Sequence, residues 1–174
     1  SMDILISSNL ERLLYHLSLC DDKLISSYMT SLSEKGEYTV SDDILNKIKE
    51  VFVADCCNDE DTVKTIAETF KKYGYLCDTH TAVAVNVYNQ YKDITGDNRP
   101  AVIASTASPY KFAGSVYRAL TDCKPPEEYA ALEALASLTE TQIPAPLAGL
   151  DSRHIRFERV CAPAEMLDDV LENL

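Results

Sequence analysis

Hydrophobic residues recur every three or four positions along most of this chain, a spacing that places them on one face of an α-helix. Capping side chains precede several of these runs, and Gly36 and Gly74 follow two of them, as is typical of helix ends. Together these signals predict helices over 9–20, 21–36, 41–52, 58–74, 78–91, 109–121, 125–138 and 162–174. The sequence therefore predicts a mainly helical protein.

Two short stretches have the pattern of β-strands instead. Residues 101–106 form an apolar run after a turn rich in glycine, asparagine and proline, and residues 155–160 alternate apolar with charged side chains. Two or three strands are too few for a doubly wound sheet unless residues outside this chain supply the others. The predicted architecture is therefore α/β, predominantly helical, with a small sheet.

The first candidate site lies where the strand predicted over 101–106 ends. Ser105 and Thr106 occupy the carboxyl end of that strand, the edge at which open α/β sheets bind ligands. A hydroxyl in this position can hydrogen-bond a ring nitrogen without protonating it. The structural alternative is that the hydroxyls cap the helix that Pro109 begins, a role for which Ser108 is well suited.

Lys111 and His80 are further candidates, each with a structural alternative. Lys111 is predicted in a first helical turn, where the helix dipole disfavours cations, so it is a candidate for holding an anion or else a solvated lysine. His80 follows Asp78 at a predicted helix start and is a candidate general base or a hydrogen-bonded structural histidine. The five glycines form no phosphate-binding loop, and no nucleophile elbow or zinc-protease pair occurs. An autonomous enzyme is not indicated by these residues.

The net charge, the lack of a long apolar run and the cysteine spacing indicate which partners, location and metal sites to expect. The formal net charge of −12 argues against nucleic acid or an anionic membrane, because both require a basic surface. No apolar run approaches the roughly 18 residues of a membrane span and no leader pattern is recognised, so we expect a cytoplasmic location. The six cysteines show no disulfide framework. Only Cys77 and His80 have metal-like spacing, so no metal site is predicted and a zinc module on this pair is the weaker alternative.

Several blocks along the chain resemble successive blocks of the threonine synthase family. Residues 1–14, 74–84 (GYLCDTHTAVA) and 105–112 (STASPYKF) carry most of the likeness. Residues 144–147, 150–152 and 156–158 are similar to the carboxyl-terminal end of the same family. The resemblance covers nearly the whole chain, and blocks in the same order are more specific than any one of them.

The resemblance implies a fragment of a fold-type II domain (tryptophan synthase beta-like) that binds pyridoxal 5′-phosphate (PLP), with a small, mostly parallel sheet. It implies an enzyme that converts O-phospho-L-homoserine and water to L-threonine and phosphate. By resemblance, Thr106 hydrogen-bonds the pyridine nitrogen with Ser105 beside it. The residues implied to line the cofactor and substrate pocket are Asp78, His80, Thr81 and Lys111. Two positions depart from the family pattern, since Thr79 replaces a usual proline and Ser108 a usual histidine.

The resemblance also implies that the site is incomplete in this chain. No residue here matches the lysine that forms the Schiff base with the cofactor, so no catalytic residue is assigned, and Lys111 matches a different lysine. We expect residues 1–174 to be the carboxyl-terminal part of the cofactor domain. Ser1-Met2 is then either a cut within a continuous block or a tag scar followed by a start methionine. Its segments are a helical segment 9–52, the site region 75–122 and a carboxyl-terminal strand and helix 153–174.

Several expectations follow for the isolated chain. It is expected to lack synthase activity, to bind no cofactor alone, to require the amino-terminal half of the same protein and to be prone to self-association. The alternative is a non-catalytic helical interaction domain derived from the same fold.

Overall fold

The computed structural model describes residues 6–127, 129–155 and 159–172. Within these ranges the chain forms eight α-helices joined by loops and three short 3₁₀ helices. The α-helices are α1 (Ser8–Leu17), α2 (Asp22–Lys35), α3 (Asp42–Val51), α4 (Asp59–Tyr73), α5 (Thr79–Thr95), α6 (Ala113–Thr121), α7 (Ala130–Thr139) and α8 (Met166–Glu172). The 3₁₀ helices span Pro109–Phe112, Leu150–Ser152 and Pro163–Glu165.

Helix ends agree with the capping residues in the sequence. Asp21, Ser41 and Asn58 cap α2, α3 and α4 by accepting a hydrogen bond from a first-turn backbone N–H, as predicted. Gly74 ends α4 with φ of 65°, a left-handed conformation that favours glycine. The first helix differs from the prediction, because Ser7 rather than Asn9 is its cap. Local side-chain chemistry therefore determines most of these boundaries.

The helices pack into two separate buried clusters. One lies between α1, α2 and α3 and contains Leu14, Ile25 and Ile44. The other joins α4 to α7 and includes Ile66, Cys77, Ala82, Tyr110, Ala113, Val116, Ala131 and Leu135. The second cluster is the one that supports the predicted site, because α5, α6 and the 3₁₀ helix at Pro109–Phe112 all contribute to it.

The predicted small parallel sheet is not confirmed, since no strand occurs in the ranges that the structure describes. Residues 101–106 form a loop segment without bends that pairs with no other described segment. Val102 in this segment is 99% exposed. A β-strand is defined by hydrogen bonds to a second strand, and this apolar segment has none within the described chain. Of the strand predicted over 155–160, residues 156–158 lie outside the described residues, and the flanking ones are neither helix nor strand.

A turn held by several side-chain hydrogen bonds leads into residues 101–106. Asp97 accepts hydrogen bonds from the backbone and side chain of Arg99 and from the Tyr91 hydroxyl, the last at 3.0 Å. The guanidinium of Arg99 holds the pKa of the Asp97 carboxyl well below its usual range. These bonds tie the end of α5 to the chain that enters residues 101–106.

Several helix limits differ from the predictions. The helix predicted over 109–121 consists of a 3₁₀ turn and a separate α6, and the helix predicted from 125 begins only at Ala130. Helix α5 extends to Thr95, beyond the predicted end at 91. Across the described part of the chain, no helix is long and apolar enough to cross a membrane.

Candidate cofactor and substrate wall

Asp78 organises the centre of the candidate site. Its side chain is completely buried and caps α5, with Oδ1 accepting from the backbone N–H of His80 at 2.8 Å and of Thr81 at 3.3 Å. Its second carboxylate oxygen accepts from the Thr81 hydroxyl in a short hydrogen bond. Because a buried carboxylate requires such donors, these bonds explain how the charge is tolerated. Asp78 therefore fixes both the start of α5 and the side chains of its first turn.

His80 lies beside this carboxylate at the edge of the site. Its Nδ1 is 3.2 Å from Asp78 Oδ1, and its ring centroid is 5.2 Å from that of Phe112. An ionised carboxylate only accepts hydrogen bonds, so Nδ1 must carry the proton in this contact. The side chain is 40% exposed, and in the neutral ring Nε2 then bears a lone pair. The structure thus brings Asp78, His80 and Thr81 together, as the sequence predicts.

The two strand-end hydroxyls have different surroundings. Ser105 Oγ accepts from the Tyr75 hydroxyl at 2.9 Å and from Thr81 Oγ1 at 3.2 Å, which connects it to the Asp78 cluster. Thr106 is exposed, and its hydroxyl makes no hydrogen bond within the described part of the chain. Ser105 is therefore held by the protein, whereas the Thr106 side chain is available to a ligand.

The structural alternative for Ser105 and Thr106 was that they cap the next helix, but a different residue provides that cap. Ser108 Oγ accepts from the backbone N–H of Tyr110 at 3.3 Å and begins the 3₁₀ helix that Pro109 opens. Neither Ser105 nor Thr106 caps a described helix. Sequence reasoning assigned the cap correctly to Ser108.

Lys111 lies in the first helical turn after Pro109, as the sequence predicts, but the type of helix is different. It is in the 3₁₀ helix Pro109–Phe112, before α6 begins at Ala113, and not in the first turn of an α-helix. The exposed side chain borders an open cavity of about 740 Å³. Residues lining it include Tyr110, Ala113, Gly114, Tyr129, Leu132 and Leu147. The structure therefore places Lys111 at a cavity that is also lined by Phe112, the residue whose ring contacts His80.

Cys77 faces the core of the second cluster. It is fully buried among the residues of the second cluster, and burial raises the pKa of its thiol. Among the described residues, no three histidine, cysteine or carboxylate side chains converge in a way that would hold a metal ion. Cys77 therefore packs as a small hydrophobe beside the site.

Thr79 shows what the departure from the family pattern does locally. It is the first residue of α5, and its hydroxyl oxygen is buried with no hydrogen-bond partner in the described chain. Proline is suited to the first position of a helix because its missing N–H is not needed there. Thr79 therefore places an unsatisfied hydroxyl at the position where the resemblance implies a proline ring.

Tyr75 is the site residue that the sequence analysis missed. It lies in the loop between α4 and α5 and reaches Ser105 across 30 residues of sequence. A tyrosine next to buried apolar residues is ordinarily read as core. The sequence feature that could have identified Tyr75 is its position three residues before Asp78, within the block 74–84.

Comparisons with known proteins place this geometry in a known class. A threonine synthase from Brucella melitensis, solved with PLP bound, matches 97% of this chain with a TM-score of 0.72 and 28% identity, over 32% of its own length. The helices and the unbent segment are thus arranged as in part of a PLP-binding synthase. The sequence profile described as threonine synthase, C-terminal, matches residues 81–170.

Relatives identified by sequence agree with the structural match. Threonine synthase-like 1 of Homo sapiens is 36% identical over 120 residues, which are 69% of this chain and 16% of that protein. Threonine synthase of Pseudomonas aeruginosa is 34% identical over 119 residues, which are 68% of this chain and 25% of that protein. The chain belongs to the threonine synthase family and matches its carboxyl-terminal domain. It spans a quarter or less of the length of these two relatives.

Proposed function

We propose that this chain forms the carboxyl-terminal wall of the PLP site of a threonine synthase. The whole enzyme would convert O-phospho-L-homoserine and water to L-threonine and phosphate. The observation that carries the proposal is the unpartnered, exposed hydroxyl of Thr106 beside the Asp78 cluster, in a chain that belongs to this family. PLP, when bound, supplies the electron sink for chemistry at the substrate carbons.

The donor set suits the pyridine end of that cofactor. Thr106 would donate a hydrogen bond to the ring nitrogen, and a neutral hydroxyl leaves that nitrogen unprotonated. Ser105 and Thr81 would form the supporting wall behind it, because both are already tied to buried Asp78. No lysine or glycine-rich loop of this chain is assigned to the aldehyde or phosphate ends, which residues outside this chain would hold.

The remaining candidates would face the substrate. With its Nδ1 proton directed to Asp78, His80 would present Nε2 as an acceptor and hold a proton there. Lys111 would attract the phosphate or carboxylate of O-phospho-L-homoserine through its exposed ammonium group. Both roles leave the bond-breaking steps to groups held elsewhere in the enzyme.

The amino-terminal half of the same protein is the partner that the proposal requires. An apolar groove of about 510 Å³ runs beside α5 and is lined by Val51, Val53, Val87, Tyr88 and Val102. Val51 and Val53 are more than two-thirds exposed, as is Val102. Exposed apolar surface beside the unpaired backbone of residues 101–106 is suited to binding a strand from another part of the polypeptide. The Brucella enzyme has two-thirds of its chain outside the matched part, which is ample to cover this groove.

Cofactor attachment tests the proposal directly. The 174-residue chain alone is expected to show no stoichiometric fixation of PLP to a lysine after borohydride reduction, because its lysines match no cofactor-binding lysine. The longer polypeptide that includes this sequence is expected to fix one PLP, on a lysine outside it, and to release phosphate from O-phospho-L-homoserine. Peptide mass spectrometry and a phosphate assay provide the two readouts.

The outcomes separate the proposal from its alternatives. Stoichiometric PLP on one lysine of the isolated chain would contradict it. A longer polypeptide that neither fixes PLP nor releases phosphate would instead support a non-catalytic interaction domain. Size-exclusion chromatography of the isolated chain shows in parallel whether the uncovered groove drives self-association.

A further inference from the structure

Tyr75 connects two segments that carry the site residues. Its hydroxyl donates to Ser105 Oγ at 2.9 Å, although the ring is 48% exposed. Thr81 Oγ1 contacts the same oxygen at 3.2 Å, and Thr81 is itself held by Asp78. The oxygen of Ser105 is therefore fixed from two sides, by the loop before α5 and by the first turn of α5.

These contacts determine what Ser105 has left to offer. A serine hydroxyl has two acceptor positions and one proton. Tyr75 and Thr81 both approach as donors, so they occupy the acceptor positions of Ser105. Thr81 has a single proton that it shares between Ser105 and the Asp78 carboxylate, so the Tyr75 hydroxyl is the donor with no competing acceptor in the described chain. Removing it would leave Ser105 held only by the shared proton.

The position of Ser105 in turn determines the direction of Thr106. Residues 101–106 contain no bend, and one planar peptide unit joins Ser105 to Thr106, so the positions of the two residues are coupled. All residues of this segment except half-buried Ile103 are exposed, and Ser105 differs from Thr106 in its bonds to Tyr75 and to Thr81 of α5. Anchoring Ser105 against α5 therefore restricts the directions that the adjacent Thr106 hydroxyl can take.

We propose that Tyr75 is a positioning residue, which holds Ser105 against α5 and thereby directs the Thr106 hydroxyl toward the pyridine nitrogen of PLP. The inference rests on the proposed function, since Thr106 is the residue that contacts the ring. Tyr75 itself does not touch the cofactor. Its effect passes through Ser105, and this distinguishes it from a residue that only stabilises the fold.

The test compares three single substitutions in the longer polypeptide. Tyr75→Phe removes only the hydroxyl, and Thr106→Val removes the proposed contact with the ring. Tyr73→Phe is the matched control, because Tyr73 is 67% exposed and its ring contacts Lys72. The dissociation constant for PLP is measured by equilibrium dialysis, well below each variant's unfolding midpoint. We expect Tyr75→Phe to weaken binding by about three- to tenfold, the value of one hydrogen bond. Tyr73→Phe is expected to change nothing.

A second substitution tests the route through Ser105. In a Ser105→Ala background, Tyr75→Phe is expected to cause no further loss of PLP affinity, because the two residues act through one bond. In the isolated 174-residue chain, Tyr75→Phe is expected to shift the amide NMR signals of Ser105 and Thr106, and Tyr73→Phe is not. These two readouts do not depend on catalytic activity.

The outcomes keep the two proposals distinct. If Thr106→Val leaves PLP affinity unchanged, the proposed function of this wall fails and the positioning role fails with it. If Thr106→Val weakens binding but Tyr75→Phe does not, only the positioning role is overturned. The same holds if Tyr75→Phe lowers the melting temperature alone, or lowers affinity equally in the Ser105→Ala background.

Discussion

Replacing Asp78 with alanine is expected to lower the free energy of unfolding by about 3 kcal/mol, as measured by urea denaturation of the 174-residue chain. Asp78 is completely buried, and it accepts bonds from two backbone N–H groups, one imidazole and one hydroxyl. Loss of a helix cap alone costs about 1 kcal/mol, and each buried donor left without an acceptor adds to that cost. The substitution removes both contributions at once.

Asn58→Ala is the matched control for this loss. Asn58 caps α4, which packs in the same buried cluster, but its side chain accepts a single exposed bond from Asp61 N–H at 2.7 Å. Its removal is expected to cost about 1 kcal/mol. An equal loss in the free energy of unfolding for the two substitutions would show that Asp78 acts only as a helix cap. The bonds of Asp78 to the side chains of His80 and Thr81 would then add nothing measurable to stability.

Replacing Leu135 with alanine is expected to destabilise the chain by about 3 kcal/mol, within the range of about 2–5 found for buried leucines. Leu135 is fully buried on α7 and belongs to the cluster formed with Ile66 and Val116. The truncation removes contact area and leaves a cavity that rigid neighbouring helices cannot fill. Urea denaturation monitored by circular dichroism measures the change.

Leu138→Ala in the same helix provides the comparison. Leu138 is 43% exposed, so its truncation removes less buried surface and leaves no closed cavity. A cost below about 1 kcal/mol is expected. If the two leucines cost the same, the packing of α7 against α6 within this cluster would be wrong.

Helix boundaries were predictable because they depend on local chemistry. Asp21, Ser41 and Asn58 each bond to a backbone N–H three residues further along, and this contact is visible in the sequence alone. The sheet was not predictable in the same way, because residues 101–106 require a paired strand that the described chain does not provide. The hydrophobic pattern alone showed that the predicted strands were too few for a sheet. The family resemblance explained this shortage, because it implies a fragment of a larger domain.

The candidate site was predicted in part. Asp78, His80 and Thr81 share one short block, so their proximity followed from helical geometry. Lys111 lies in the first helical turn after Pro109, as predicted, although that turn is 3₁₀, because the choice between a 3₁₀ and an α start depends on packing that spacing does not show. Tyr75 was missed because its contact with Ser105 joins residues far apart in sequence.

The central claim is that the chain end at Ser105 and Thr106 receives the pyridine ring of PLP. The most direct measurement is the crystal structure of the longer polypeptide that includes this sequence, with PLP bound. We expect the Thr106 hydroxyl oxygen to lie about 2.7–3.2 Å from the pyridine nitrogen, with Ser105 still bonded to Tyr75. A pyridine nitrogen bonded to another residue, with Thr106 beyond hydrogen-bond distance of the ring, would contradict the account.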